Sequence, residues 1–380
     1  MACATSSIPS TNPVTEARET PFQFVPDEFR RQPENAIRPP VGWAGVSDNL
    51  LEISDLQIEF SSLERRVQAV RGCDLSVIKG EVLGLVGESG SGKSMTALAC
   101  LGLVPPPGRV TGSVRLDGHE VIGASEASNK VLRGGVAAMI FQNPGKALSP
   151  FFTIGRQLGD AIASVRGLSR DSAAQIAIDA LSEVRIADPA LAMEKYPHQL
   201  SGGQLQRAMI AMALSCEPKL LIADEPTTAL DVTIQAQIIV LLRDLARVHG
   251  LTVLFITHDL GVVGSLCDRL AVMYAGRVVE SGPVDALFAS PAHPYTASLL
   301  RAVPMLGRGR TALTQIPGAV PNMAAPPPGC AFHPRCPFAQ PRCATDDPAS
   351  RQTADGRTVA CHFPLPPPVE SGATAGPSVS

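Results

Sequence analysis

The stretch Gly87-Glu88-Ser89-Gly90-Ser91-Gly92-Lys93-Ser94 constrains this chain more than any other. It fits G-x-x-x-x-G-K-[ST], a phosphate-binding loop. Its flanks suit the motif: Val82-Leu83-Gly84-Leu85-Val86 reads as a buried strand, and Met95-Thr96-Ala97-Leu98-Ala99-Cys100-Leu101 as a helix. Glycines let successive backbone N–H groups curl around an anion, and the helix N-terminus adds a partial positive charge. Gly87, Ser89, Gly90, Ser91 and Gly92 are expected to cradle phosphates, with Thr96 placed beside them. Lys93 would reach the β- and γ-phosphates, and the Ser94 hydroxyl would ligate Mg²⁺. A chance Gly/Ser turn is the competing reading, and the strand–loop–helix context weighs against it.

At 380 residues the chain has room for two or three domains, and 45% hydrophobic residues suffice for a sizeable core. A net charge of -3 gives no argument for nucleic acid as a partner. No stretch of 18 residues is predominantly apolar, and the N-terminus lacks a charged-then-apolar signal pattern. The expected location is the cytosol or the cytosolic face of a membrane. Nine cysteines is an odd count, and in a reducing compartment disulfides are not expected. Cys3, Cys73, Cys100, Cys216 and Cys267 sit in scattered runs and read as packing residues.

Residues 1–46 are rich in Pro, Ser, Thr and Asn, and read as a disordered leader in which Trp43 is the lone Trp. Order begins near Leu50 with alternating strands through Phe60, which is placed either to stack on a nucleotide base or to fill the sheet core. Pro105-Pro106-Pro107-Gly108 breaks the chain after the loop helix, and Val136-Ala137-Ala138-Met139-Ile140-Phe141 is a buried strand ending on Gln142. Over 153–200, Ile154, Leu158, Ile162 and Val165, then Ile176, Ala180, Leu181 and Val184, recur at helical spacing. Apolar strands follow at Leu220-Leu221-Ile222-Ala223 and Leu251-Thr252-Val253-Leu254-Phe255-Ile256-Thr257, with a helix over 234–248 between them. Residues 269–282 look like a closing hairpin. Alternating strands and helices predict an α/β fold with a mostly parallel sheet covered on both faces. Beyond 283 the chain is Pro-rich, with one helix over 295–303, and 364–380 reads as a disordered tail.

Chemistry-bearing residues fall at element ends. Gln142 follows a strand, where its amide would touch Mg²⁺ and the attacking water. Ser201-Gly202-Gly203-Gln204 precedes a helix and offers a second phosphate site. Asp224 ends an apolar strand, where a carboxylate would hold Mg²⁺ through water. Glu225 beside it would polarise water, and His258 would contact the γ-phosphate. In this order the set resembles an ATP-binding subunit of an ABC transporter over about 50–282. Walker A (87–94), the Q-loop Gln142, the signature 200–204, Walker B (220–225), the D-loop Thr228-Ala229-Leu230-Asp231 and the switch His258 are all present.

The resemblance implies a P-loop NTPase core at 47–282 with an antiparallel β-subdomain and a helical subdomain at about 150–205. It implies ATP hydrolysis with Glu225 as general base and Mg²⁺ held by Ser94, Gln142 and Asp224. It also implies a dimer, with ATP between the P-loop of one subunit and the signature of the other. Phe60, Ser201, Gly202, Gly203, Gln204 and Asp231 join the expected ATP-binding set.

His293-Pro294-Tyr295-Thr296 and Gly329-Cys330-Ala331-Phe332-His333-Pro334-Arg335-Cys336-Pro337 are similar to the tail of the oligopeptide/dipeptide/nickel importers. That similarity makes 283–363 a C-terminal extension and implies an importer for short peptides, peripheral on the cytoplasmic side of the membrane. Its implied partners are a related ATPase forming a heterodimer, two membrane-spanning permeases and, indirectly, an extracytoplasmic solute-binding protein. Nickel or another small solute is the alternative cargo, and a non-transport ABC ATPase the alternative class. Cys330, Cys336, Cys343 and Cys361, spaced C-x5-C-x6-C-x17-C, would suit a [4Fe–4S] cluster or Zn²⁺, or be free thiols. The resemblance favours the cluster, shielded by Phe332 and Phe338.

Overall fold

The structure, a computed structural model, describes residues 48–61, 65–228, 230–302 and 315–366. The expected leader at 1–46 with Cys3 and Trp43, residues 367–380 of the expected tail and the D-loop Ala229 lie outside the described residues, whereas the tail's start is ordered, Leu365 donating its N–H to the Ala292 carbonyl oxygen.

Two sheets organise the chain. The smaller is antiparallel, in the order β2 (Arg66–Ile78), β1 (Asn49–Ser61), β4 (Gly108–Leu116), β5 (His119–Glu120). Its inward positions, among them Ile53, Leu56, Ile58, Val77 and Val114, form one core with the loop helix α1 (Lys93–Cys100). The larger sheet runs β11 (Arg351–Gln352), β12 (Thr358–Val359), β10 (Arg277–Pro283), β9 (Arg269–Tyr274), β3 (Val82–Val86), β8 (Thr252–Thr257), β7 (Leu220–Asp224), β6 (Ala137–Ile140). Neighbours from β9 to β6 are parallel. Every residue of β3, β7 and β8 is buried. A parallel sheet covered on both faces demands such unbroken apolar runs. Because β3, β8, β7 and β6 lie side by side, their C-terminal ends deliver the P-loop, His258, Asp224–Glu225 and Gln142 to one crevice.

The helices are α2 (Glu126–Gly135), α3 (Pro144–Ala147), α4 (Ile154–Arg166), α5 (Arg170–Glu183), α6 (Pro189–Glu194), α7 (Gly202–Leu214), α8 (Val232–His249), α9 (Leu260–Leu266), α10 (Val284–Ala289), α11 (Pro294–Ala302) and α12 (Pro341–Thr345). In α4 the periodic residues Ile154, Leu158 and Ile162 are fully buried, joining Ala173, Ala177 and Leu181 of α5 in one core. Val165, expected on the same stripe, is 37% exposed at the end of α4. Thr153, Ser169, Asp188 and Ser201 each cap the helix that follows, accepting a backbone N–H with the side chain. Among the described residues no helix is long and apolar enough to cross a membrane.

The segment after α10 is Pro-rich, yet it shares the main core. Ala331 and Phe332 belong to the same buried cluster as Tyr274 and Tyr295. The Phe332 ring stands 5.2 Å from that of Tyr274, edge-on, and 5.3 Å from that of Tyr295. Phe332→Ala should therefore destabilise the whole chain, by about 3–5 kcal/mol, rather than the extension alone. Urea unfolding followed by two probes checks this, one in the extension and one near Lys93. A shift confined to the extension probe would contradict the shared core.

Candidate active site

The P-loop joins β3 to α1, and its glycines answer to close packing. A Cβ on Gly87 would lie 2.1 Å from the Met273 carbonyl oxygen of β9. Gly92, at φ 107°, would bring a Cβ within 2.6 Å of the Ala69 carbonyl oxygen. Lys93 is buried, and its Nζ donates to the carbonyl oxygens of Gly87 at 2.8 Å and Glu88 at 3.0 Å. Burial pulls its pKa down, against the charges of Glu225, Asp224 and Glu88 that pull it up. The Ser94 hydroxyl donates to Asp224 Oδ1 at 3.0 Å. Burial pushes the Asp224 carboxyl up, opposed by that hydrogen bond.

Glu225 gathers the rest. Gln142 Nε2 donates to its Oε2 at 2.9 Å, the Thr228 hydroxyl to the same oxygen at 2.8 Å, and His258 Nδ1 stands 3.3 Å from Oε1. Burial alone would raise this carboxyl, but the Thr228 and His258 hydrogen bonds outweigh it and hold it below the usual range. The group is a carboxylate at neutral pH. Its backbone sits at φ 46°, the left-handed region that costs a non-glycine residue on the order of 1 kcal/mol. Such strain at a strand end aims the side chain into the crevice instead of along the sheet.

The structure thus brings Lys93, Ser94, Gln142, Asp224, Glu225 and His258 together. It adds Thr228, which sequence reading placed only in the D-loop; its spacing of three from Glu225 is the signal. Thr96 departs from the expectation. It is fully buried, and its hydroxyl donates to the Gly92 carbonyl oxygen, bracing the loop from within the helix. Phe60 ends β1 half-buried, packed on the core of the smaller sheet with its ring close to Gly108.

The signature residues stand with α8. Ser201 caps α7 and forms a capping box with Gln204. A Cβ on Gly202 would meet Leu230 at 3.4 Å, and one on Gly203 would meet Ile234 at 2.8 Å. Asp231 caps α8, accepting from the Ile234 N–H at 2.9 Å.

Cys330, Cys336, Cys343 and Cys361 line one small cavity with Phe332, His333, Phe338 and His362. Burial pushes the thiols of Cys330 and Cys336 up, and that of Cys361 to about 11. Among the described residues no group of three or more His, Cys, Asp or Glu is placed to hold a single metal ion. Phe332 is buried, but Phe338 is 47% exposed and shields less than expected. Cys73, Cys100, Cys216 and Cys267 are buried, as packing residues would be.

The family model described as ABC transporter matches residues 70–228, and that of the oligopeptide/dipeptide transporter C-terminal region matches 279–343. A dipeptide transport ATP-binding protein of Escherichia coli is 48% identical over 317 residues, covering 83% of this chain and 97% of that protein. An oligopeptide transport ATP-binding protein of Salmonella typhimurium is 45% identical over 316 residues, covering 83% and 94%. Among solved structures, a dimeric post-hydrolysis ATP-binding cassette with ADP and Pi superposes with a TM-score of 0.56. It is 27% identical and covers 62% of this chain and 98% of its own.

Proposed function

The chain belongs to the ATP-binding subunits of ABC transporters, in the branch that carries the oligopeptide/dipeptide C-terminal region, and we propose that it powers uptake of short peptides. The observation that carries this reading is the convergence of Lys93, Ser94, Gln142, Asp224, Glu225 and His258 on one crevice. Peptide as cargo is carried over from the relatives and from the tail they share with this chain.

ATP hydrolysis follows from these residues. The P-loop backbone and Lys93 bind the β- and γ-phosphates, and Ser94, Asp224 and Gln142 suit Mg²⁺ as an all-oxygen set. When bound, Mg²⁺ neutralises charge developing on the transferred phosphoryl group. Glu225 accepts the proton of an in-line water, and Gln142 and Thr228 fix its carboxylate for that task. His258 pairs with the same carboxylate and would contact the γ-phosphate. Phe60 is assigned to the adenine face.

The P-loop and signature sit on separate parts of the chain, the signature with α8, which favours a nucleotide shared between two subunits. The solved neighbour bound to ADP and Pi is itself a dimer, which supports a two-subunit reading. We assign the second subunit to a related ATPase, giving a heterodimer on two permeases at the cytoplasmic face of the membrane. The boundaries 47–282 for the ATPase domain, about 150–205 for its helical part and 283–363 for the extension belong to this proposal. Phe151 is 81% exposed, with Phe141 and Phe152 also exposed, at the border between Gln142 and α4. An apolar patch of this kind suits a permease loop. Phe151→Asp should leave ATP binding and melting temperature unchanged and weaken co-purification with the permeases about tenfold or more. Undiminished co-purification would remove the patch from the interface.

The tail these cysteines share with the importer family is the ground on which we assign them to a [4Fe–4S] cluster in preference to Zn²⁺. A zinc ion needs its thiolates within about 2.3 Å of one point, whereas a cluster spreads them over four irons. These four line one cavity, although among the described residues they form no group placed to hold a metal ion. Burial favours the neutral thiol at Cys330, Cys336 and Cys361, which would lose their protons on binding. The cluster would serve as a staple. Anaerobically purified protein should contain iron and sulfide; stoichiometric zinc without iron would replace the cluster by an ion.

The function is tested by reconstituting the chain with its permeases and partner ATPase in vesicles. ATP-dependent uptake of labelled dipeptide supports the reading. Uptake of Ni²⁺ with no peptide uptake would overturn it.

A further inference from the structure

Arg335 lies in the loop between Cys330 and Cys336, far from the nucleotide residues in sequence, yet it reaches the P-loop. Its Nη1 donates to Glu88 Oε2 at 2.7 Å and its Nη2 to Oε1 at 3.0 Å, a two-pronged pair. The remaining guanidinium donors are fixed too. Nε donates to the Pro317 carbonyl oxygen at 3.0 Å, Nη2 also to that of Ile316 at 3.4 Å, and Nη1 also to the Tyr274 hydroxyl at 3.3 Å. The side chain is 4% exposed. Glu88 is held a second time from the same side, its backbone N–H donating to the Tyr295 hydroxyl at 3.0 Å.

Glu88 occupies a position of G-x-x-x-x-G-K-[ST] that the motif leaves open, so its carboxylate has no assigned part in binding phosphate. A carboxylate in a loop that receives a polyanion opposes that anion unless it is neutralised. The Glu88 carbonyl oxygen also accepts from Lys93 Nζ at 3.0 Å, so the residue joins the extension to the phosphate-binding lysine.

We propose that Arg335 is a positioning residue for the nucleotide site: it neutralises Glu88 and fixes the loop in its phosphate-binding form. It touches no reacting atom and acts on the nucleotide site through Glu88. Walker A in this chain is completed by the C-terminal extension, and whatever moves the 330–336 loop is felt at Lys93. This rests on the P-loop being the ATP site.

Binding of a fluorescent ATP analogue to the purified full-length chain tests it, with thermal melting as a companion. Arg335→Met should raise the dissociation constant about 10–100-fold by leaving Glu88 unpaired in the loop. Glu88→Gln alone should cost less affinity than Arg335→Met, because it leaves no unpaired carboxylate in the loop. The double variant should recover most of the lost affinity, because the carboxylate that required neutralising is gone. A merely structural role would not give that rescue: both Arg335 variants would bind equally badly. Should Arg335→Met fail to fold, Arg335→Lys keeps a charge while losing the fork; it should weaken binding several-fold, and Glu88→Gln should cancel the loss. Unchanged affinity in the Arg335 variants, or no rescue by Glu88→Gln, would overturn the proposal. A wild-type chain that binds no ATP would instead overturn the functional reading beneath it.

Discussion

Glu225→Gln is expected to leave ATP bound and to cut turnover by about 10²–10⁴-fold, the contribution of a positioned general base. The carboxylate accepts two hydrogen bonds on Oε2, from Gln142 and Thr228, and pairs with His258 through Oε1. An amide has the same shape and keeps one accepting oxygen, so the backbone geometry at φ 46° should persist. What disappears is the capacity to take a proton from water. Lys93, Ser94 and Asp224 are untouched, so nucleotide should stay trapped in the assembled transporter. ATPase rate and bound nucleotide are the two readouts. Turnover near that of wild type would reject Glu225 as the base, whatever its contacts.

Ser201→Arg should act across the subunit boundary. Ser201 is exposed, and its hydroxyl caps α7 by accepting the Gln204 N–H. Removing the cap alone costs about 1 kcal/mol of helix stability. The larger effect comes from filling the small signature surface with a long side chain where the partner's nucleotide must dock. Loss of one preorganised donor set toward a phosphoryl group lowers turnover by roughly 10²–10³-fold. The assembled transporter should show that loss at one of its two sites, while this chain's own P-loop binds ATP as before. Weakened binding at Lys93 would contradict the shared-site arrangement. Equal loss at both sites would point to two copies of this chain in place of a heterodimer.

Much of this site is legible along the chain because a parallel sheet writes itself plainly. β3, residues 220–223 of β7 and residues 253–256 of β8 are unbroken apolar runs; β7 ends on Asp224, and the P-loop and His258 follow directly on β3 and β8. The antiparallel sheet shows through alternation at Ile53 and the residues after it. Thr96 lies away from the crevice for a geometric reason. Residues two apart on a helix point about 200° away from each other, so Ser94 and Thr96 cannot both face the crevice. The helix α2 gave little signal because it buries only Asn129 and Leu132. The contact from Gln142 to Glu225 spans 83 residues, and that from Arg335 to Glu88 spans 247. No periodicity or local motif encodes pairs so distant; they follow from which strand ends meet and which loop folds back. The Pro-rich look of the extension hid its core for a related reason. Its burial depends on Tyr274 and Tyr295, rings contributed from outside the cysteine segment.

β12 pairs antiparallel with β10 at Glu280 and Ser281, and β11 adds beyond it. Glu280, 1% exposed, accepts the backbone N–H groups of Ala292 and His293. Without these late strands, β10 would present unpaired N–H and C=O groups at the rim of the main sheet, an invitation to strand exchange between molecules. The far end of the extension therefore works as a selvage: it finishes the sheet so that the fabric neither frays nor snags on its neighbour. A chain shortened ahead of residue 350 would keep every nucleotide-binding motif and still be prone to stick to itself.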